Sequence, residues 1–378
     1  MNSLKLSNND WITSQQELLL KASILHGDDA IQSWEKWKSS IDFDHIDPGS
    51  YRLLPLLYSN IIKYEIKDPL INRIKGIYRR TWCENQILTN QAIKLLKLFH
   101  SEGIETIVLK GIAMTVLYYK DYGLRPMSDF DILIPTKKAP EAIRLLRKSG
   151  WKPGYKSPEH IISFIHSCDM CDISGLYHLD LHWHLLIECC QANADDDFWE
   201  GALQVNIKDN YTYVLNPADQ LLHTCIHGMK WSIIPPFRWV ADAMMILNSS
   251  QTEIDWNRLI SQAKKRRLIL PLQKAIDYLF NNLNAGIPEN IFETIQKITV
   301  TTQEYLEFKF KISNQKRKLL GNIPVLWFDS LRLSENMPPI HKLTGFVNYL
   351  KHFWDLESIW ELILYVKQLS IKKVRSIK

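Results

Sequence analysis

Apolar residues recur at three- and four-residue spacing through the first hundred positions, the pattern of helices that each bury one face. Residues 16–25, 30–38, 51–66 and 69–99 carry it, the last through Ile87, Ala92, Leu95, Leu96 and Leu98. The period then changes. Residues 104–109 form a short β-branched run, 112–119 are helical again, Gly123 and Pro126 mark a loop, and 129–134 read as a second strand. A helix over 139–148 closed by Gly150 follows, and residues 151–156, 160–167 and 177–186 read as strands. Beyond about Pro217 the helical period returns, punctuated by Pro235-Pro236, Pro271, Pro288 and Pro338-Pro339. The pattern predicts an α+β chain: a small mixed core at 101–215, between an N-terminal helical region at 1–100 and a C-terminal helical region at 216–378.

Composition narrows the class without naming it. Hydrophobic content of 46% with 23% charged residues suits a soluble globular chain with a large core. A net charge of +5 is too mild and too scattered to predict a stable nucleic-acid partner, yet it suits an anionic small substrate. No apolar run reaches 18 residues, and residues 1–11 lack the apolar stretch of a signal peptide, so neither a transmembrane segment nor export is expected. Six cysteines in a chain of this length read as reduced thiols of a cytoplasmic protein. Cys168-x-x-Cys171 followed by Cys189-Cys190 invites a zinc reading, but a structural site needs two well-spaced pairs and the second pair is adjacent, so these thiols read as mostly buried. Of the thirteen tryptophans, Trp183, Trp231 and Trp239 flank polar clusters; most of the others read as core. Lys367, Lys372, Lys373, Arg375 and Lys378 make the tail basic, which reads as a solvated final helix, with contact to an anionic membrane or partner as the alternative.

The candidate chemistry begins at Asp129-Phe130-Asp131. On a strand, residues two apart share a face, so the two carboxylates project side by side and repel unless a cation lies between them. Oxygen ligands favour Mg²⁺ or Mn²⁺. A solvated turn is the plain alternative. Downstream, alternation places His178, Asp180, His182 and His184 on one face of a strand, opposite Leu179, Leu181, Trp183 and Leu185. If that strand adjoins the first, Asp129, Asp131 and Asp180 converge as three carboxylates able to hold two divalent ions for displacement at phosphorus. Upstream, Lys110-Gly111 joins a strand to a helix, a turn that attracts phosphate. Arg125 offers a fork for phosphate and Ser128 a hydroxyl.

These residues carry a resemblance. Leu109-Lys110-Gly111-Ile112-Ala113, then Arg125-Pro126-Met127-Ser128-Asp129-Phe130-Asp131, then Leu179-Asp180-Leu181-His182-Trp183, resemble the uncharacterised bacterial nucleotidyltransferase family of the DNA-polymerase-beta superfamily. Residues 217–227 and 238–242 extend the likeness, which covers about residues 85–250. Members often accompany peptide natural-product and surface-polysaccharide gene clusters. The resemblance implies a small mixed nucleotidyltransferase-type sheet flanked by helices. It also implies Mg-dependent transfer of a nucleoside monophosphate from an NTP, with ATP the expected donor, to a hydroxyl-bearing small-molecule, peptide or protein acceptor. Asp129, Asp131 and Asp180 become metal ligands and catalytic acids, while Lys110, Gly111, Arg125 and Ser128 bind the nucleotide. The chain departs from the wider superfamily at Gly111-Ile112, where a Gly-Ser turn is usual.

His182, His184 and His227, with Arg238 and Asp242, are expected to border the acceptor, although each has a plain structural reading. His182 and His184 suit a satisfied polar strand face, and Arg238 with Asp242 suit an i, i+4 helix pair. His223 and His227 lack the intervening glutamate of a metalloprotease helix. Two rivals remain: a non-catalytic binding protein of the same fold in a biosynthetic cluster, and a zinc hydrolase built on Asp180, His182 and His184.

Overall fold

The computed structural model describes residues 12–229, 237–249, 253–312, 323–334 and 338–376. The readings made of residues 1–11, Trp231, Pro235-Pro236 and Lys378 lie outside them, as do the side chains of Lys372, Lys373 and Arg375. The chain forms two compact units, each drawn from separate stretches. As far as they are described, the first takes Met1–Leu98, Ile107–Asp131 and Gly201–Asn314; the second takes Phe99–Thr106, Ile132–Glu200 and Gln315–Lys378.

Helices dominate the first unit. Ser14–Ile24 opens with a capping box, in which Thr13 accepts from the Gln16 N–H and Gln16 accepts from the Thr13 N–H. Pro69–Ser101 runs for 33 residues; Asp68 accepts the Leu70 N–H at its start, and Gly103 takes a positive φ just past its end. Its buried stripe is Ile74, Thr81, Asn85, Leu88, Ala92, Leu95 and Phe99, whereas Ile87, placed on that stripe by spacing, is 51% exposed. The reading of 51–66 as one helix also gives way. The segment breaks into Pro48–Tyr51, Leu54–Ile61 and a short turn Ile62–Tyr64, with Asp47 accepting the Gly49 and Ser50 N–H groups at the start of the first piece.

Seven strands form one mixed sheet among the described residues: β1 Ile107–Leu109, β2 Phe130–Leu133, β3 Lys152–Pro153, β4 Ser167–Cys171, β5 His178–His182, β6 Leu203–Ile207 and β7 Asn210–Val214. Their order is β3-β4-β5-β2-β1-β7-β6. β1 and β7 are parallel, with Ile107 opposite Tyr213; β4–β5, β3–β4 and β6–β7 are antiparallel. β2 is common to both units, its first two residues counting with one and its last two with the other. The strand read at 160–167 is instead a helical turn, Pro158–Ile161, followed by β4; the pair Pro158 and Ile161 is buried by that turn. All four β2 side chains are buried, so the strand reads as an apolar run with one carboxylate in it.

Candidate functional site

β1 passes directly into the helix Lys110–Met114, and the residue that turns the chain is Lys110, with φ +41. A lysine in the left-handed region is uncommon and costs about 1 kcal/mol or more, so the turn is held by its surroundings. Gly111 has a different task from the one its place in the turn suggests. A Cβ there would lie 2.5 Å from Met127 Sδ and 3.3 Å from an Arg125 guanidinium nitrogen. The glycine lets the 125–128 loop pack against the turn.

That loop is pinned from the long helix. Asn85, fully buried, donates through Nδ2 to the carbonyls of Tyr122 and Arg125 at 2.6 and 2.8 Å, and its Oδ1 accepts the Met127 N–H at 3.2 Å. Three loop groups thus depend on one side chain. Asn85→Ala is expected to lower unfolding free energy by about 3 kcal/mol, since buried backbone groups lose their partners. Urea unfolding checks this; a loss within experimental error would mean that the loop holds itself.

The loop delivers its residues to a cavity of about 230 Å³ within the first unit. Lys110, Gly111, Arg125, Ser128, Asp129 and Asp131 line one side; Gln220, His223, Thr224, His227, Arg238, Trp239 and Asp242 come from the helices Pro217–Gly228 and Arg238–Leu247. Asp131 is buried and receives the Lys110 ammonium at 2.6 Å. Asp129 is exposed at the mouth of β2, with the Ser128 hydroxyl 3.3 Å from its Oδ1. The His223 and His227 rings meet edge to face at 6.2 Å.

Arg125 does not stand open. Its Nε and one terminal nitrogen donate to the two oxygens of Asp242 at 2.8 and 2.9 Å, and the Tyr119 hydroxyl donates to the same carboxylate at 2.8 Å. Burial alone would raise the Asp242 pKa, but the Arg125 charge and these hydrogen bonds hold it below the ordinary carboxylate value. Asp242 therefore pairs across the cavity wall rather than with Arg238 on its own helix. Arg238 instead donates to the Pro126 carbonyl at 2.7 Å. Burial, then repulsion from Arg125, lowers the Arg238 pKa to about 10, with Arg52 adding to the repulsion.

On β5, Leu179 and Leu181 are buried and Asp180 is half-buried, as alternation requires. Asp180 Oδ2 lies 2.8 Å from His182 Nε2, and the His182 carbonyl accepts the Ile134 N–H just beyond β2. Asp180 and His182 each offer a ligand atom on β5 in the second unit, and Asp131 offers one at the first unit's end of β2. Two carboxylates and an imidazole form a donor set that fits a divalent cation. Asp129 shares the first unit's cavity with Asp131. His184 lies past the end of β5, where the chain bends. Its Nδ1 meets Asp195 Oδ2 at 2.6 Å in a buried pair, and Asp195 also accepts the Leu185 N–H. The alternation read through position 184 therefore ends at 182, and the zinc triad of Asp180, His182 and His184 is not assembled.

Six free cysteines, four of them buried, supply no thiol to this group; burial pushes the Cys168 thiol up to about 11 and that of Cys225 to about 12. Asn85, Arg52 and Tyr119 were missed from the sequence. Asn85 leaves a faint signal, a polar residue in phase with an apolar stripe.

Carboxylates, imidazoles and cations around one cavity suit an anionic substrate accompanied by a metal ion. The chain belongs to the uncharacterised nucleotidyltransferase family, whose pattern matches residues 50–284. No curated protein matches it. Among solved structures it is similar to an antigenic nucleotidyltransferase-like protein from Paracoccidioides brasiliensis, at 14% identity over 57% of this chain and 94% of that one, TM-score 0.34. It is also similar to the Megavirus polyadenylate synthase, at 12% identity over 85% and 80%, TM-score 0.30. Likenesses this weak add nothing about activity. No helix among the described residues is long and apolar enough to cross a membrane.

Proposed function

We propose that this chain transfers a nucleoside monophosphate from an NTP, with ATP the favoured donor, to a hydroxyl-bearing small molecule, peptide or protein. The observation that carries the reading is the wall shared by Lys110, Ser128, Asp129 and Asp131 in a member of a nucleotidyltransferase family. In the reaction the acceptor oxygen bonds to the α-phosphorus, the bond from that phosphorus to the bridging oxygen breaks, and pyrophosphate leaves. The acceptor's proton passes to a carboxylate, for which Asp180 is the proposed base and His182 its orienting partner at 2.8 Å.

Asp129, Asp131 and Asp180 would hold Mg²⁺ or Mn²⁺, with His182 beside them. When bound, such ions neutralise phosphate charge and ease deprotonation of the attacking hydroxyl. Lys110 and Ser128 would bind phosphate oxygens from the turn and loop. Arg125, anchored by Asp242, keeps a guanidinium nitrogen beside Gly111 for the same purpose. His227 and Arg238 would border the acceptor. Free thiols and the NTP supply make the cytoplasm the proposed compartment.

The four NTPs, each with Mg²⁺, can be screened against hydroxyl-bearing acceptors, with mass spectrometry reading the added nucleotide. Gain of one nucleoside monophosphate with pyrophosphate release is expected. If no NTP binds in calorimetry with either metal, the chain is a non-catalytic member and the proposal is wrong.

A further inference from the structure

A second cavity, of about 420 Å³, lies in the first unit beside the acid-lined one. The two share Arg52, Met127, Ser128 and Arg238 as common wall. The second cavity is therefore a neighbour of the first. Its size is that of a small-molecule site, and its lining has the usual make-up, mostly apolar with a few placed polar groups. Ile46, Pro48, Tyr51 and Pro126 supply the apolar surface; Arg52, Arg238 and Ser128 supply the polarity.

The charges around it do not cancel. Lys110 is matched by Asp131 and Arg125 by Asp242. Arg238 donates to a carbonyl; no ion pair joins it or Arg52 to a carboxylate among the described residues, and the nearby Asp242 charge, itself paired with Arg125, offsets the repulsion on Arg238 only in part. Both arginines are set by local structure. Asp47 caps the turn Pro48–Tyr51 that ends at Arg52, and the Pro126 carbonyl orients the Arg238 fork. Repulsion from Arg125 and Arg52, added to burial, already weighs on the Arg238 proton, and a bound anion would relieve it.

We infer that Arg52 and Arg238 hold an oxyanion of the acceptor, a carboxylate or a phosphate, while its apolar body lies against Ile46, Pro48, Tyr51 and Pro126. The acceptor is thus an anionic amphipathic molecule, and this inference rests on the nucleotidyl-transfer reading above. A planar guanidinium fork suits both anions. The apolar walls disfavour a bare triphosphate.

Calorimetry on the full chain tests it with three probes: phenylpropionate, phenyl phosphate and the uncharged phenylpropanol, each with and without saturating Mg²⁺·ATP. At least one anion is expected to bind about tenfold tighter than the alcohol, and the tighter of the two names the source. Arg52→Gln is expected to shrink that preference to about twofold, and Arg52→Lys to keep most of it. Mg²⁺·ATP is expected not to displace the anion. Equal binding of anion and alcohol, no binding of any probe, or competitive displacement by Mg²⁺·ATP overturns the inference; displacement would assign the arginines to the triphosphate. A chain that prefers the anions yet never binds Mg²⁺·ATP keeps the subsite and refutes the transferase reading instead.

Discussion

Asp131→Asn is expected to lower nucleotidyl transfer by about a thousandfold while leaving a folded protein. A divalent ion supplies several kcal/mol of transition-state stabilisation, and about 4 kcal/mol corresponds to a factor of a thousand. Asp131 is a buried carboxylate of the acid-lined cavity. The amide keeps the shape and loses the charge, so Lys110 keeps a hydrogen-bond acceptor in place of an ion pair, at a stability cost of about 1–2 kcal/mol. Pyrophosphate release and thermal unfolding, measured on one preparation, separate these effects. Transfer within tenfold of wild type would remove Asp131 from the catalytic set.

Asp242→Ala is expected to be the most damaging single change to stability, by about 3–5 kcal/mol, because it strands the Arg125 guanidinium in a buried site. The Tyr119 hydroxyl loses its acceptor in the same step. Linkage gives the pH dependence. The folded pKa of Asp242 lies below its unfolded value, so its contribution is fully present above the ordinary carboxylate pKa and is lost as pH falls through the lower, folded one. Wild-type stability should therefore decline on acidification, and the Asp242→Ala variant should decline less over the same range. Urea unfolding midpoints across acid pH test both statements. A variant as stable as wild type at neutral pH would show that the pair contributes nothing net.

Local pattern made much of this fold legible. The long helix at 69–99 and the helix at Ala139–Lys148 follow from apolar spacing and from the glycines past their ends. β2 and β5 follow from a short apolar run and from alternation. The cavity-lining set Lys110, Ser128, Asp129 and Asp131 was visible because strand, turn and loop are close in sequence. What escaped was long-range. Asn85 pins a loop some 40 residues away, and Arg125 meets Asp242 across 117 positions. No local period encodes either contact. The end of β5 escaped for a related reason: alternation assumes a strand that continues, whereas β5 stops at His182 and the chain beyond it is held by Asp195 contacts to His184 and the Leu185 N–H. Ile87 shows the same limit, since apolar residues also sit on exposed helix faces. Arg52 had no signal at all until the turn capped by Asp47 was seen beside Arg238.

Asp131 and Asp180 are proposed to hold a divalent ion against a bound nucleoside triphosphate. Water-proton relaxation of Mn²⁺·ATP on titration with the full chain tests it without knowledge of the acceptor. A saturable enhancement is predicted for the wild type, lost in both Asp131→Asn and Asp180→Asn. An enhancement unchanged in the two variants, or absent from a folded wild type, would contradict it.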